Sequence, residues 1–143
     1  LKVVHIIEAL GGGVYTYFRD LSTFFGDDQI TKSTDTTIIY SDNRKEIDPK
    51  KIKFEFSNGV NLIQVNMVRE FSPIQDLKSV YKLVKELKRI DPDVIHLHSS
   101  KAGVLGRIIA YFFIFKKRNF FTPNGYSSLR SNTLKFERNL LGN

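Results

Sequence analysis

The chain has 143 residues and contains no cysteine. Disulfides, thiolate metal sites and cysteine nucleophiles are therefore excluded, and a cytoplasmic address stays open. No apolar run approaches the roughly 20 residues that a membrane-spanning helix needs. The longest extends from Ile108 to Phe115, with Arg107 beside it. The first residue is Leu1 rather than methionine, so a longer or processed gene product is expected. The opening apolar stretch is only a strand long and does not resemble a secretory signal. There is no internal repeat and no low-complexity segment.

What is present suits one folded domain. Apolar residues make up 41% and charged residues 26% of the chain, which is ordinary globular composition and argues against disorder. A chain of this length can bury its own core. The net charge is +7 and unevenly placed. Residues 1–77 hold nine Lys/Arg against eleven Asp/Glu, while residues 78–143 hold thirteen against four. Such asymmetry suits an anionic partner, either a phosphorylated substrate, an anionic lipid or a nucleic acid; a solvated basic surface gives the same count. The basic residues form no helix-turn-helix, zinc-finger or RRM pattern, so no nucleic-acid partner is expected.

Hydrophobic spacing predicts alternating strands and helices. Val3–Ile7 and Thr36–Tyr40 read as buried strands, and Asn61–Met67 as a third, with a minor strand at Lys53–Phe56. Residues 41–51 read as a surface loop or frayed helix. From Val14 the spacing turns helical, with Gly26 as a stop. A second helix is expected after Ser72 as N-cap, with Pro73 at its first position and Gln75 closing a capping box. Leu77, Val80, Tyr81, Val84 and Leu87 form its expected apolar face, and Asp91-Pro92 ends it. Val94–His98 is the next strand, Lys101–Phe115 the next helix and Asn119–Thr122 a last strand. Asn132–Leu141 is weakly helical. This order implies an α/β, Rossmann-like, mainly parallel sheet with helices on both faces.

In such sheets ligands bind beyond the carboxyl ends of the strands. Three strand ends carry unusual residues. Gly11-Gly12-Gly13 lets the backbone turn and approach a ligand, ahead of a helix N-terminus suited to phosphate. It lacks the spacing of GxGxxG and the Lys-Ser/Thr of a P-loop, and taken alone a tight turn without ligand is the plainer reading. His96-Leu97-His98-Ser99-Ser100-Lys101 forms the second. His96 and His98 share one side of the strand. His98 is nearest the carboxyl end, Ser99 or Ser100 can cap the next helix, and Lys101 adds positive charge. Two histidines without a nearby carboxylate make a poor zinc site, so no metal is expected. Thr122-Pro123-Asn124-Gly125-Tyr126-Ser127 is the third, a strand stopping in turn residues.

The run from Lys2 to Val14 with its Gly11-Gly12-Gly13 resembles the opening of the family 4 (group 1) glycosyltransferases. Pro73–Leu77, Pro92–Arg107 and Thr122–Ser127 are similar to a subgroup acting in capsule, exopolysaccharide and O-antigen assembly. The resemblance covers about residues 2–138. It implies one half of a GT-B fold, the N-terminal, acceptor-side domain (residues 1–131). A helical segment at 132–143 would lead into a covalent C-terminal donor domain. It further implies transfer with retention of configuration, no cofactor and no metal, and a nucleotide-sugar donor, UDP-linked by family habit. Gly11, Gly12 and Gly13 would line the donor-phosphate side. His98, Ser99, Ser100, Lys101, Gly125 and Tyr126 would line the acceptor side. Asn124 stands where the family commonly has histidine. An amide positions a sugar hydroxyl but cannot act as a base at neutral pH. The implied acceptor is an oligosaccharide or lipid-linked sugar at the inner face of the cell membrane. Lys116, Lys117 and Arg118, beside Tyr111-Phe112-Phe113, would face anionic lipid. Two alternatives remain at this stage: a non-catalytic membrane-recruiting subunit of a split glycosyltransferase, and a Rossmann-like regulatory module. The latter needs an acidic residue after strand two, and Asp42 is the only candidate.

Overall fold

The computed structural model describes residues 1–25, 27, 33–43, 48–56, 59–113 and 118–121. The elements in chain order are β1 (Lys2–Ile7), α1 (Gly13–Phe25), β2 (Asp35–Tyr40), α2 (Pro49–Glu55), β3 (Val60–Gln64), α3 (Pro73–Ile90), β4 (Val94–His98), α4 (Ser100–Phe113) and β5 (Arg118–Phe121). Among the described residues all four strand pairings are parallel, in the order β3-β2-β1-β4-β5. This is the Rossmann-like α/β sheet that the alternation of apolar runs implies.

Strand pleating divides the core in two. Val4, Ile6, Ile39, Ile95 and Leu97 pack with Val80, Leu83, Val84 and Leu87 of α3 and with Leu105 and Ile109 of α4. On the other face, Ile7, Ile38 and Tyr40 pack with Phe18 of α1 and Ile52 of α2. Because both faces are covered, the strands read as continuous apolar runs. Among the described residues, no helix is long and apolar enough to cross a membrane.

Three expectations need correction. Lys53–Phe56 is not a minor strand: Lys53, Phe54 and Glu55 lie in α2 and Phe56 is its C-cap. The Asp48 side chain accepts from the Lys50 amide, Pro49 opens the helix, and Ile52 is buried. That cap and an Ile52/Phe56 spacing of four outweigh a short β-like run. At α3, Ser72 has N-cap backbone geometry but makes no side-chain cap bond. Gln75 does not close the capping box; instead the Asp76 carboxylate accepts from the Ser72 amide at 3.3 Å. The buried face of α3 is Val80, Leu83, Val84 and Leu87, whereas Leu77 and Tyr81 are each 71% exposed. Gly26 and the segment 132–141 lie outside the described residues.

Candidate functional site at the strand switch point

β1 and β4 are neighbours, with Ile7 paired to His98 at their carboxyl ends. From β1 the chain passes to α1 on one face of the sheet, and from β4 to α4 on the other. The two connections leave in opposite directions, which opens a crevice at this edge. Both helices therefore start beside it. Neither carries an acidic residue in its first turn, so their positive dipole ends suit an anion, as do their first amides apart from that of Ala102, which Ser99 caps.

The glycine loop is built for close approach. Gly12 has φ of +57°, the left-handed region in which a β-carbon is penalised. Its carbonyl accepts from the Thr16 amide at 3.3 Å and closes the first turn of α1. Gly11 is buried, and Gly12 and Gly13 are exposed. A β-carbon added at Gly12 or Gly13 would meet nothing within 4 Å, so the space in front of the loop is open. Gly12→Ala should consequently cost about 1 kcal/mol through backbone strain alone. A urea midpoint equal to the parent's would contradict that account.

At the opposite helix, Ser99 has φ of 150° and its Oγ accepts from the Ala102 amide at 3.1 Å. Ser99 is thus the cap, and Ser100 is the exposed first residue of α4. Lys101 does not present a free charge. Its Nζ lies 2.6 and 2.7 Å from the two Asp76 carboxylate oxygens and donates to the Glu70 carbonyl at 3.0 Å. The two side chains are only 11% and 14% exposed, so this pair ties α4 to the start of α3. Lys101→Ala should destabilise the fold by about 2 kcal/mol, because it strands the Asp76 carboxylate. Lys101→Met/Asp76→Leu should recover most of that loss in a double-mutant cycle.

His98 also differs from expectation. Instead of opening onto the crevice, it is 4% exposed. Its Nε2 lies 2.9 Å from His5 Nδ1, and its ring packs edge-on to Phe18 at 4.8 Å. Burial lowers its pKa to about 3, with His96 and His5 adding to the shift. Burial and His96 lower His5 to about 4, and burial also lowers His96. All three imidazoles are neutral at pH 7. Their donor nitrogens lie within 4.8 Å of one another, close enough to hold a metal ion. Sequence reading paired His96 with His98 and passed over His5. The missing signal was the register, which sets His5 beside His96.

Two further features bear on the site. An apolar groove of ≈ 470 Å³ runs between α3 and α4, with Phe71, Leu77, Val80, Val104 and Ile108 in its lining and Arg69 beside them. Phe71, just ahead of α3, is 85% exposed, and Ile74 in the first turn of α3 is 71% exposed. Arg118 begins β5 opposite Val94, at the amino-terminal edge of the sheet and away from the crevice. Lys116, Lys117, Asn124, Gly125 and Tyr126 lie outside the described residues.

The fold and its crevice are those of a Rossmann-like half of the GT-B architecture. MurG from Acinetobacter baumannii aligns with it at a TM-score of 0.59 and 14% identity, covering 92% of this chain and 38% of that one. The Glycosyl transferase 4-like family matches residues 31–122, and the chain belongs to that family. It is also 50% identical over 44 residues to the Escherichia coli UDP-Gal:alpha-D-GlcNAc-diphosphoundecaprenol alpha-1,3-galactosyltransferase. That segment is 31% of this chain and 11% of the enzyme.

Proposed function

We propose that this chain is the acceptor-binding domain of a retaining glycosyltransferase that moves a hexose from a nucleotide sugar to a lipid-linked bacterial surface glycan. The observation that carries the reading is the pairing of two helix N-termini, free of acidic residues, with an open glycine loop at one sheet edge. Such an edge suits diphosphate groups. The similar galactosyltransferase is named for a UDP-sugar donor and a diphosphoundecaprenol-linked acceptor, both of which carry a diphosphate.

In this reading Gly12 and Gly13 give the donor diphosphate its approach. The exposed Ser100 and the first amides of α4 meet the acceptor, with Gly125 and Tyr126 completing that side. Asn124 positions a sugar hydroxyl by hydrogen bonding, and the catalytic contribution is orientation and electrostatic stabilisation rather than proton abstraction. His98 and Lys101 act from behind, as wall and brace. The groove between α3 and α4 offers an apolar surface to the lipid portion of the acceptor, at the inner face of the membrane. A covalent C-terminal domain binds the nucleotide, and the domain alone does not turn over.

The test uses the full-length protein in membranes of its host, with radiolabelled sugar from a panel of nucleotide sugars followed into the lipid fraction. Parent protein should label lipid. Gly13→Val, which fills the open space before the loop, and Asn124→Ala should each lower transfer at least tenfold, about 1.4 kcal/mol in the barrier, without change in melting temperature. Full activity in both variants overturns the site. Absence of label from every donor favours a non-catalytic recruiting subunit, for which the exposed apolar groove would be the membrane contact.

A further inference from the structure

We propose that His5, His96 and His98 form a binding site for one divalent d-block cation of the zinc class, placed between the sheet and α1. The inference is independent of sugar transfer and begins from register. β1 and β4 run parallel with His5 opposite His96. His98 is two residues further along β4, so pleating returns its side chain to the same face. Adjacent strands lie about 4.8 Å apart, which gathers three imidazoles from two strands. Ring centroids are 5.4 Å apart for His5–His96, 5.2 Å for His5–His98 and 3.9 Å for His96–His98.

The donor atoms suit such an ion. His5 Nδ1 and His98 Nε2 are 2.9 Å apart, and all three donor nitrogens fall within 4.8 Å of one another. Two imidazoles bound to one tetrahedral zinc at 2.0–2.1 Å place their nitrogens about 3.3 Å apart. The His5–His98 spacing is close to that value, and modest rotation of the half-buried His96 ring brings in the third. Three neutral nitrogens and no carboxylate select borderline cations such as Zn²⁺, Co²⁺ or Ni²⁺ over Mg²⁺ and Ca²⁺. The site is walled by Phe18, whose ring lies 5.7 Å from His5 and 4.8 Å from His98. That wall keeps competing water out on one side. Three protein ligands leave a fourth position for water or an anionic oxygen. Bound there, the cation clamps β1 to β4, and its stabilisation follows the ordinary linkage of ligand to fold.

The experiment uses the full chain, stripped with chelator and titrated with ZnCl₂ by calorimetry and with CoCl₂ by visible absorption. One zinc per chain is expected, with tetrahedral d–d bands from cobalt and a rise in melting temperature. X-ray absorption at the zinc edge should count three imidazoles. His96→Gln, the most exposed of the three positions, should weaken zinc roughly tenfold or more. His5→Gln should do the same. A folded parent that binds no zinc overturns the proposal, as does an edge spectrum with fewer than three imidazoles. Affinity unchanged in His96→Gln overturns it as well.

Discussion

Replacing Phe18 by alanine should destabilise the domain by about 3–5 kcal/mol, the range for truncating a large buried aromatic. Phe18 is fully buried and is the main contact of α1 with the sheet. It packs with Ile7, Leu10, Ile38 and Tyr40. It also stands edge-on to His5 at 5.7 Å and to His98 at 4.8 Å. Truncation would therefore leave a cavity and remove the cover from two imidazoles. Phe18→Leu keeps most of the volume and should cost about 1–1.5 kcal/mol. Urea unfolding followed by circular dichroism separates the two. Equal midpoints for Phe18→Ala and the parent would mean that α1 is not docked through this ring.

The same residue shows what the sequence could tell. Phe18 falls on the helical stripe that begins at Val14, and that periodicity alone places it in the core. The alternation of elements likewise announces a parallel sheet, and the strand ends announce where a ligand would sit. The connections were harder to read. Lys53–Phe56 has strand-like composition, but a local cap at Asp48 and Pro49 decides in favour of helix. Leu77 and Tyr81 continue an apolar spacing beyond the buried face of α3, and only the tertiary structure shows them exposed on the outside. Partners distant in sequence were illegible for the same reason. Nothing near Lys101 announces Asp76, and nothing near His98 announces His5. A motif shows which groups stand at a strand end. It does not show whether a neighbouring strand or helix claims them first. Gly106 is a more legible case: a small residue there allows close packing on the sheet or a substrate, and the structure shows the sheet, since an added β-carbon would come within 2.7 Å of Leu97 Cδ2. Its smallness serves the packing of α4 on β4.

The buried histidines should make the domain acid-labile well above the range of carboxylate titration. In the unfolded chain each imidazole titrates near 6.5. Folded, His5 is lowered to about 4 and His98 to about 3, chiefly because burial penalises the charged ring. Above pH 6.5 neither state is protonated at these rings, and their contribution does not vary with pH. Between pH 6.5 and about 4 the unfolded chain takes up protons that the native fold refuses. Unfolding is then favoured as pH falls, by up to about 1.4 kcal/mol per pH unit for each histidine. Stability should accordingly decline from pH 7 to pH 5 and flatten only as the native rings protonate. Urea midpoints measured with chelator at pH 7.5, 6, 5 and 4.5 test this, with His5→Asn/His98→Asn as control. The variant starts from lower stability, because it loses the paired rings, and should show a shallower slope over that interval. Parallel slopes would place the acid sensitivity elsewhere. A flat parent curve would mean that both rings titrate in the native state as they do in the unfolded chain. The direction is opposite to that of a histidine stabilised by a carboxylate, which would strengthen the fold on acidification. Burial of the imidazoles sets the sign, and the neighbouring rings add to it.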